Sequence, residues 1–191
     1  PFTGQGFATD LHTGALVGIS RAERKVIFAG VTKPAAPVTH GPFVGHVTSG
    51  SALVWARCSK PGQYRLSAHT RNSHRVSVRA ASTAKRDGCI LWRLSSLQPG
   101  TRYHYEIRLG GKRLVSGDDY FFETAGSKCS PAVRLAFGSC AREDEASSAV
   151  WRQMQAVDPH AVVLLGDTPY IDSTDLAVQR RRYREFSSVA D

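Results

Sequence analysis

The chain has 191 residues, 41% of them hydrophobic, enough for one large domain or two small ones around a packed core. It contains no apolar run of about 18 residues, so no membrane-spanning helix is expected. Its net charge of +9 favours anionic partners, although most arginines are scattered along the sequence.

Residues 1–42 read as an N-terminal extension of uncertain order. Gly4, Gly6, Gly14 and Gly18 interrupt its first part, Lys25 to Ala29 suit one strand, and Pro34, Pro37 and Pro42 mark a linker-like stretch. The first residue is Pro1, so a preceding segment is expected to have been removed or left out, and a signal peptide would not be visible.

Residues 43–124 predict an all-β module. Short strands are expected over 43–48, 51–57, 63–69, 75–81, 89–95, 102–109 and 119–124, spaced by turns about every ten residues, the pattern of a β-sandwich. Alternation is clear at Val76/Val78, Leu53/Trp55 and Tyr103/Tyr105/Ile107/Leu109. Gly110-Gly111-Lys112 suits the last hairpin. The stretch Leu94-x-x-Leu97-x-Pro99-Gly100-Thr101-x-Tyr103 resembles the tyrosine corner of immunoglobulin-like sandwiches, and the module resembles a fibronectin type III-like domain. Of the four cysteines, Cys58 and Cys89 fall in this module. They either pair in an oxidising compartment or stay as half-buried thiols; with Cys129 and Cys140 they match no zinc-finger spacing.

After a linker at 125–132 the pattern changes to α/β over 133–191. The apolar runs 133–138 and 161–165, each bounded by glycine, predict two strands buried on both faces. Between them Val150, Trp151, Met154 and Val157 recur at helical spacing, and Pro159 suits a helix stop. The two strands should therefore be parallel neighbours in one βαβ unit. A last helix is expected near 175–188, where Arg180, Arg181, Arg182 and Arg184 form the one dense basic cluster, read as a solvated face in preference to a phosphate clamp.

Ligands bind outside the carboxyl ends of strands in open α/β sheets. Both strands end there in a metal-ligand type: Cys140 after Gly138-Ser139 and Asp167 after Gly166, with Tyr170 three residues on. A thiolate suits zinc, iron or copper, and a carboxylate can bridge two ions. A phenolate forms only against a strongly acidic ion, for which ferric iron is the usual choice. Singly, each residue has a plain reading as core thiol, turn carboxylate or packed ring. Their joint placement favours a metal site. Asp172 is read as an outer ligand or a turn residue.

Phe137-Gly138-Ser139-Cys140 followed by Leu165-Gly166-Asp167-Thr168-Pro169-Tyr170 resembles the opening of the alkaline phosphatase D (PhoD-like) metallophosphoesterases, with a β-sandwich before the catalytic domain. The second element is also similar to purple acid phosphatases, but those carry an acidic element where this chain has Gly-Ser-Cys. The resemblance implies Fe(III) held by Cys140, Asp167 and Tyr170, with Asp167 bridging to Ca(II), hydrolysis of phosphate mono- or diesters, and a secreted, periplasmic or cell-surface location. Arg142 is a candidate phosphate contact. The fold expected is thus a fibronectin III-like β-sandwich followed by the start of an α/β metallophosphoesterase domain. Further ligands from later strands are not found before Asp191, so an incomplete fragment with little activity is expected. The competing readings are a purple-acid-phosphatase-like enzyme and a fibronectin-like binding module without catalysis. No nucleic-acid partner is expected beyond a phosphodiester substrate, because the aromatics do not interleave with a basic stripe.

Overall fold

The computed structural model describes residues 8–9, 16–18, 37–126, 134–157, 159 and 161–186. Two short segments, β1 (Ala8–Thr9) and β2 (Leu16–Gly18), precede the strands β3 (Val38–Gly45), β4 (Ala52–Cys58), β5 (Gly62–His69), β6 (Arg75–Ser82), β7 (Cys89–Leu94), β8 (Arg102–Leu109), β9 (Lys112–Val115) and β10 (Phe121–Glu123). Then come β11 (Leu135–Gly138), α1 (Glu145–Ala156), β12 (Ala161–Leu164) and α2 (Leu176–Phe186). Among the described residues, no helix is long and apolar enough to cross a membrane.

Strands β3 to β10 form two antiparallel sheets. One runs β3-β4-β7; the other runs β10-β8-β5-β6, with β9 also pairing β8. Alternation along the strands sets which side chains meet between the sheets. Val54, Ala56, Ile90, Trp92 and Leu94 from the first sheet meet Tyr64, Leu66, Tyr103, Tyr105 and Ile107 from the second, all 2% exposed or less. The Trp92 indole donates to the Tyr64 carbonyl at 3.4 Å, tying one sheet to the other. The expected tyrosine corner is present. The Tyr103 phenol oxygen accepts the backbone N–H of Gln98 at 2.8 Å and lies 2.8 Å from His74 Nδ1.

Several features differ from the sequence reading. Strand β3 begins at Val38, five residues early, because two register shifts let it continue past Gly41-Pro42 along β4. Lys112 begins a separate short strand, β9, which shares one edge of β8 with β10. The strand expected near 25–29 lies outside the described residues, as does most of the 125–132 linker. Cys58 and Cys89 are free thiols. Cys89 stands in register with Arg57, so it projects from the opposite face of the sheet to Cys58, and burial pushes the Cys58 thiol up to about 11.

The C-terminal part is a βαβ unit with β11 and β12 parallel and in register from Leu135↔Ala161 to Gly138↔Leu164, as expected. Its sheet runs β1-β2-β12-β11, so part of the N-terminal extension pairs antiparallel with β12. The expectation of two strands buried on both faces holds only in part. Val162 and Leu164 are buried against Ala136, Trp151 and Met154, but β11 is an edge strand with Leu135 59% and Phe137 67% exposed. On α1, Trp151 and Met154 face the sheet while Val150 stands exposed, and Val157 lies just past the helix end.

Candidate metal centre

The two strand ends are drawn together by the backbone. The N–H of Leu165 donates to the Gly138 carbonyl at 2.8 Å, and the N–H of Cys140 donates to the Gly166 carbonyl at 3.2 Å. The parallel ladder thus extends one step past β11 and β12 and sets their loop tips side by side. The backbone turns sharply there: Cys140 has φ 59°, Asp167 φ 51° and Asp172 φ 50°, a left-handed region that non-glycine residues seldom occupy. Gly166, at φ 133°, makes the turn before Asp167, where a side chain would be strained. The same conformation occurs at His46, Ser73, Asp87 and Ser96 of the sandwich, so it marks sharp turns in both parts of the chain.

This geometry brings the three candidate ligands into one cluster. Cys140 Sγ stands 3.7 Å from Asp167 Oδ2. Hydrogen bonding to the Cys140 thiol, then burial and the neighbouring Cys140 and Asp167 acids, push the ionisation of the Tyr170 phenol upward against the pull of Arg142. A donor set of one thiolate, one carboxylate and one phenolate fits a strongly acidic ion such as ferric iron. Among the described residues, no group of three His, Cys, Asp or Glu side chains could hold a metal ion.

Arg142 lies beside the cluster, its guanidinium carbon 4.9 Å from the centre of the Tyr170 ring. Asp172 sits on the same loop, and among the described residues no hydrogen bond or ion pair ties it to the cluster. The helices are capped by neighbours of the site. Asp144 accepts the Ser147 N–H at 2.8 Å at the start of α1, and Asp175 accepts the Ala177 N–H at 2.7 Å at the start of α2.

The basic cluster of α2 does structural work that sequence reading missed. Arg182 donates to the Tyr170 carbonyl at 3.3 Å and to both Glu143 oxygens at 2.9 and 3.1 Å, linking the loop after β12 to the loop after β11. Arg184 pairs with Asp87 at 2.8 Å, and Asp87 also pairs with Arg57 of β4 at 3.2 Å. Arg180 donates to the Lys85 carbonyl at 3.1 Å, and His40 of β3 bonds the Arg184 carbonyl at 3.3 Å. These arginines fasten α2 to the sandwich, so the solvated-face reading is corrected for Arg180, Arg182 and Arg184. Their partners lie far away in sequence, and no local pattern announces them.

A β-sandwich of two antiparallel sheets, followed by a βαβ unit with ligand-type residues at both strand ends, defines a class of two-part proteins. The model of the PhoD-like phosphatase N-terminal domain matches residues 24–125, more than half of the chain, and the chain belongs to that family. No curated protein matches it. The solved structure of PhoD is similar at 15% identity and a TM-score of 0.41, covering 51% of this chain and 21% of that one. The chain thus spans about a fifth of PhoD's length. A fibronectin domain of human collagen alpha-1(XX) is similar at 18% identity and a TM-score of 0.34, covering 51% of this chain and 87% of that one. The chicken CNTN1 FN1-FN3 domains give 15% identity and a TM-score of 0.35, covering 48% and 30%.

Proposed function

We propose that this chain contributes to metal-dependent hydrolysis of phosphate mono- or diesters, acting outside the cytoplasm. Cys140, Asp167 and Tyr170 would hold Fe(III), with Asp167 shared with a companion Ca(II). The observation that carries this reading is the 3.7 Å approach of Cys140 Sγ to Asp167 Oδ2 across the two adjoining loop tips. Membership of the PhoD-like phosphatase family supports the phosphoester assignment. Bound metal ions would neutralise phosphate oxygens and acidify a water.

The chain's own residues have distinct tasks in this reading. The thiolate, carboxylate and phenolate supply negative charge in a fixed arrangement. Arg142 keeps a guanidinium at the rim, where it would bond a phosphate oxygen. Arg182 holds the two loop tips at their spacing. Equilibrium dialysis of the full chain against Fe(III) tests the reading. Cys140→Ala and Asp167→Ala should each weaken binding by at least about tenfold, the loss of one charged ligand. Unchanged affinity in both variants would refute it.

A further inference from the structure

The outer face of the β6-β5-β8-β9 ribbon carries a row of arginines in direct register. Arg79 on β6 stands opposite Arg65 on β5, Arg65 opposite Arg108 on β8, and Arg108 opposite Arg113 on β9. At about 4.8 Å per strand the row is about 14 Å long. Like charges directly opposite each other destabilise a sheet. The face offers little relief. Glu106 is its carboxylate, and it pairs with Arg108 at 2.9 Å, Arg113 at 3.1 Å and Arg75 at 3.4 Å. Burial raises the Glu106 carboxyl, yet the bonds and charges of these arginines hold it below the ordinary range. Arg65 and Arg79 are exposed and carry no ion pair among the described residues.

Arg65, Arg79 and Arg108 line one hollow of about 590 Å³, together with Gln63, Gly110 and Gly111. Both glycines have open space where a side chain would stand. Three guanidiniums around one space suit a tetrahedral group with several acceptor oxygens better than a planar carboxylate, which takes two donors in its plane. No aromatic side chain lines this hollow, so a base-stacking single strand has no platform.

We infer that this face is a docking track for a linear phosphate polymer, with successive phosphates along Arg79, Arg65, Arg108 and Arg113. The choice of phosphate over sulfate rests on the phosphoester reading above; the track itself rests on the register and the hollow.

The test is titration of the full chain with inorganic polyphosphate in chelator, so that neither metal loading nor turnover enters the result. Arg65→Gln with Arg79→Gln should weaken binding roughly tenfold and flatten its salt dependence by about one in log-log slope per lost contact. The control pair Arg86→Gln with Arg93→Gln removes equal charge elsewhere and should change affinity by less than about twofold. The first pair should unfold at an equal or higher temperature, since it removes opposed like charges. Equal losses in both pairs would show diffuse attraction and overturn the track. So would a marked fall in unfolding temperature, or poly-glutamate or single-stranded DNA competing as well as polyphosphate. Heparin outcompeting polyphosphate would overturn the phosphate assignment without touching the metal-centre reading, which the dialysis experiment decides separately.

Discussion

The sandwich and the βαβ unit are built on opposite principles. In the sandwich, Trp92, Tyr64, Tyr103, Tyr105 and Phe122 are at most 1% exposed and belong to one continuous core. In the βαβ unit, Val162 and Leu164 are the fully buried pair of the small core, and Leu135, Phe137 and Leu165 stand more than half exposed. The strained backbone at Cys140, Asp167 and Asp172 lies in this second region, with the cluster of acids. The larger core thus lies in one part and the proposed metal site in the other, a division like that between rigid scaffold and low-stability functional loops. Polar contacts join them: Asp87 and Lys85 of the sandwich hold α2, and α2 holds the Tyr170 loop through Arg182.

The largest effect is expected from Trp92→Ala. It opens a cavity at the centre of the sandwich and removes a bond between sheets, at about 3–5 kcal/mol, read as a shift in the urea midpoint. A loss under about 1 kcal/mol would mean that the scaffold is not where the stability lies.

Asp87→Ala should cost about 1–3 kcal/mol, because it leaves Arg57 and Arg184 without their shared carboxylate. Hydrogen exchange should quicken in α2 and leave β4, β5, β7 and β8 unchanged; equal acceleration in both regions would erase the distinction drawn here. Acid should act on the same joint. Burial, with the Arg57 charge, lowers the His40 pKa below 6.5, so the unfolded chain takes up that proton first. For Asp87, burial opposes ionisation but the bonds and charges of Arg57 and Arg184 prevail and lower its pKa below 3.8. Both groups therefore contribute stability that fades as pH falls, His40 from about 6.5 downward and Asp87 below about 4. Protection of α2 should drop first along an acid titration.

The smallest effect belongs to Tyr105→Phe. The phenol oxygen is buried with no hydrogen-bond partner among the described residues, so its removal should be neutral or stabilise by up to about 1 kcal/mol. Clear destabilisation would point to a bond through water.

Much of this division was readable from the residues. Alternation in 51–57, 63–69 and 102–109 located the sandwich strands within a residue or two, and Pro99 to Tyr103 located the corner. The βαβ unit and the cluster followed from two apolar runs and what ends them. Long-range pairing was not readable: nothing in residues 16–18 shows that they meet β12, and nothing in the α2 arginines shows that they meet Asp87. The exposure of Phe137 was missed for a related reason, since composition marks an apolar strand but not whether it stands at an edge.

A visible absorption spectrum of the chain loaded with Fe(III) addresses the shared ion itself. A phenolate-to-iron charge-transfer band that disappears in Tyr170→Phe while iron remains bound is the expected result. A band that survives that substitution, or no band at full iron occupancy, would contradict the joining of Cys140, Asp167 and Tyr170 at a single ion.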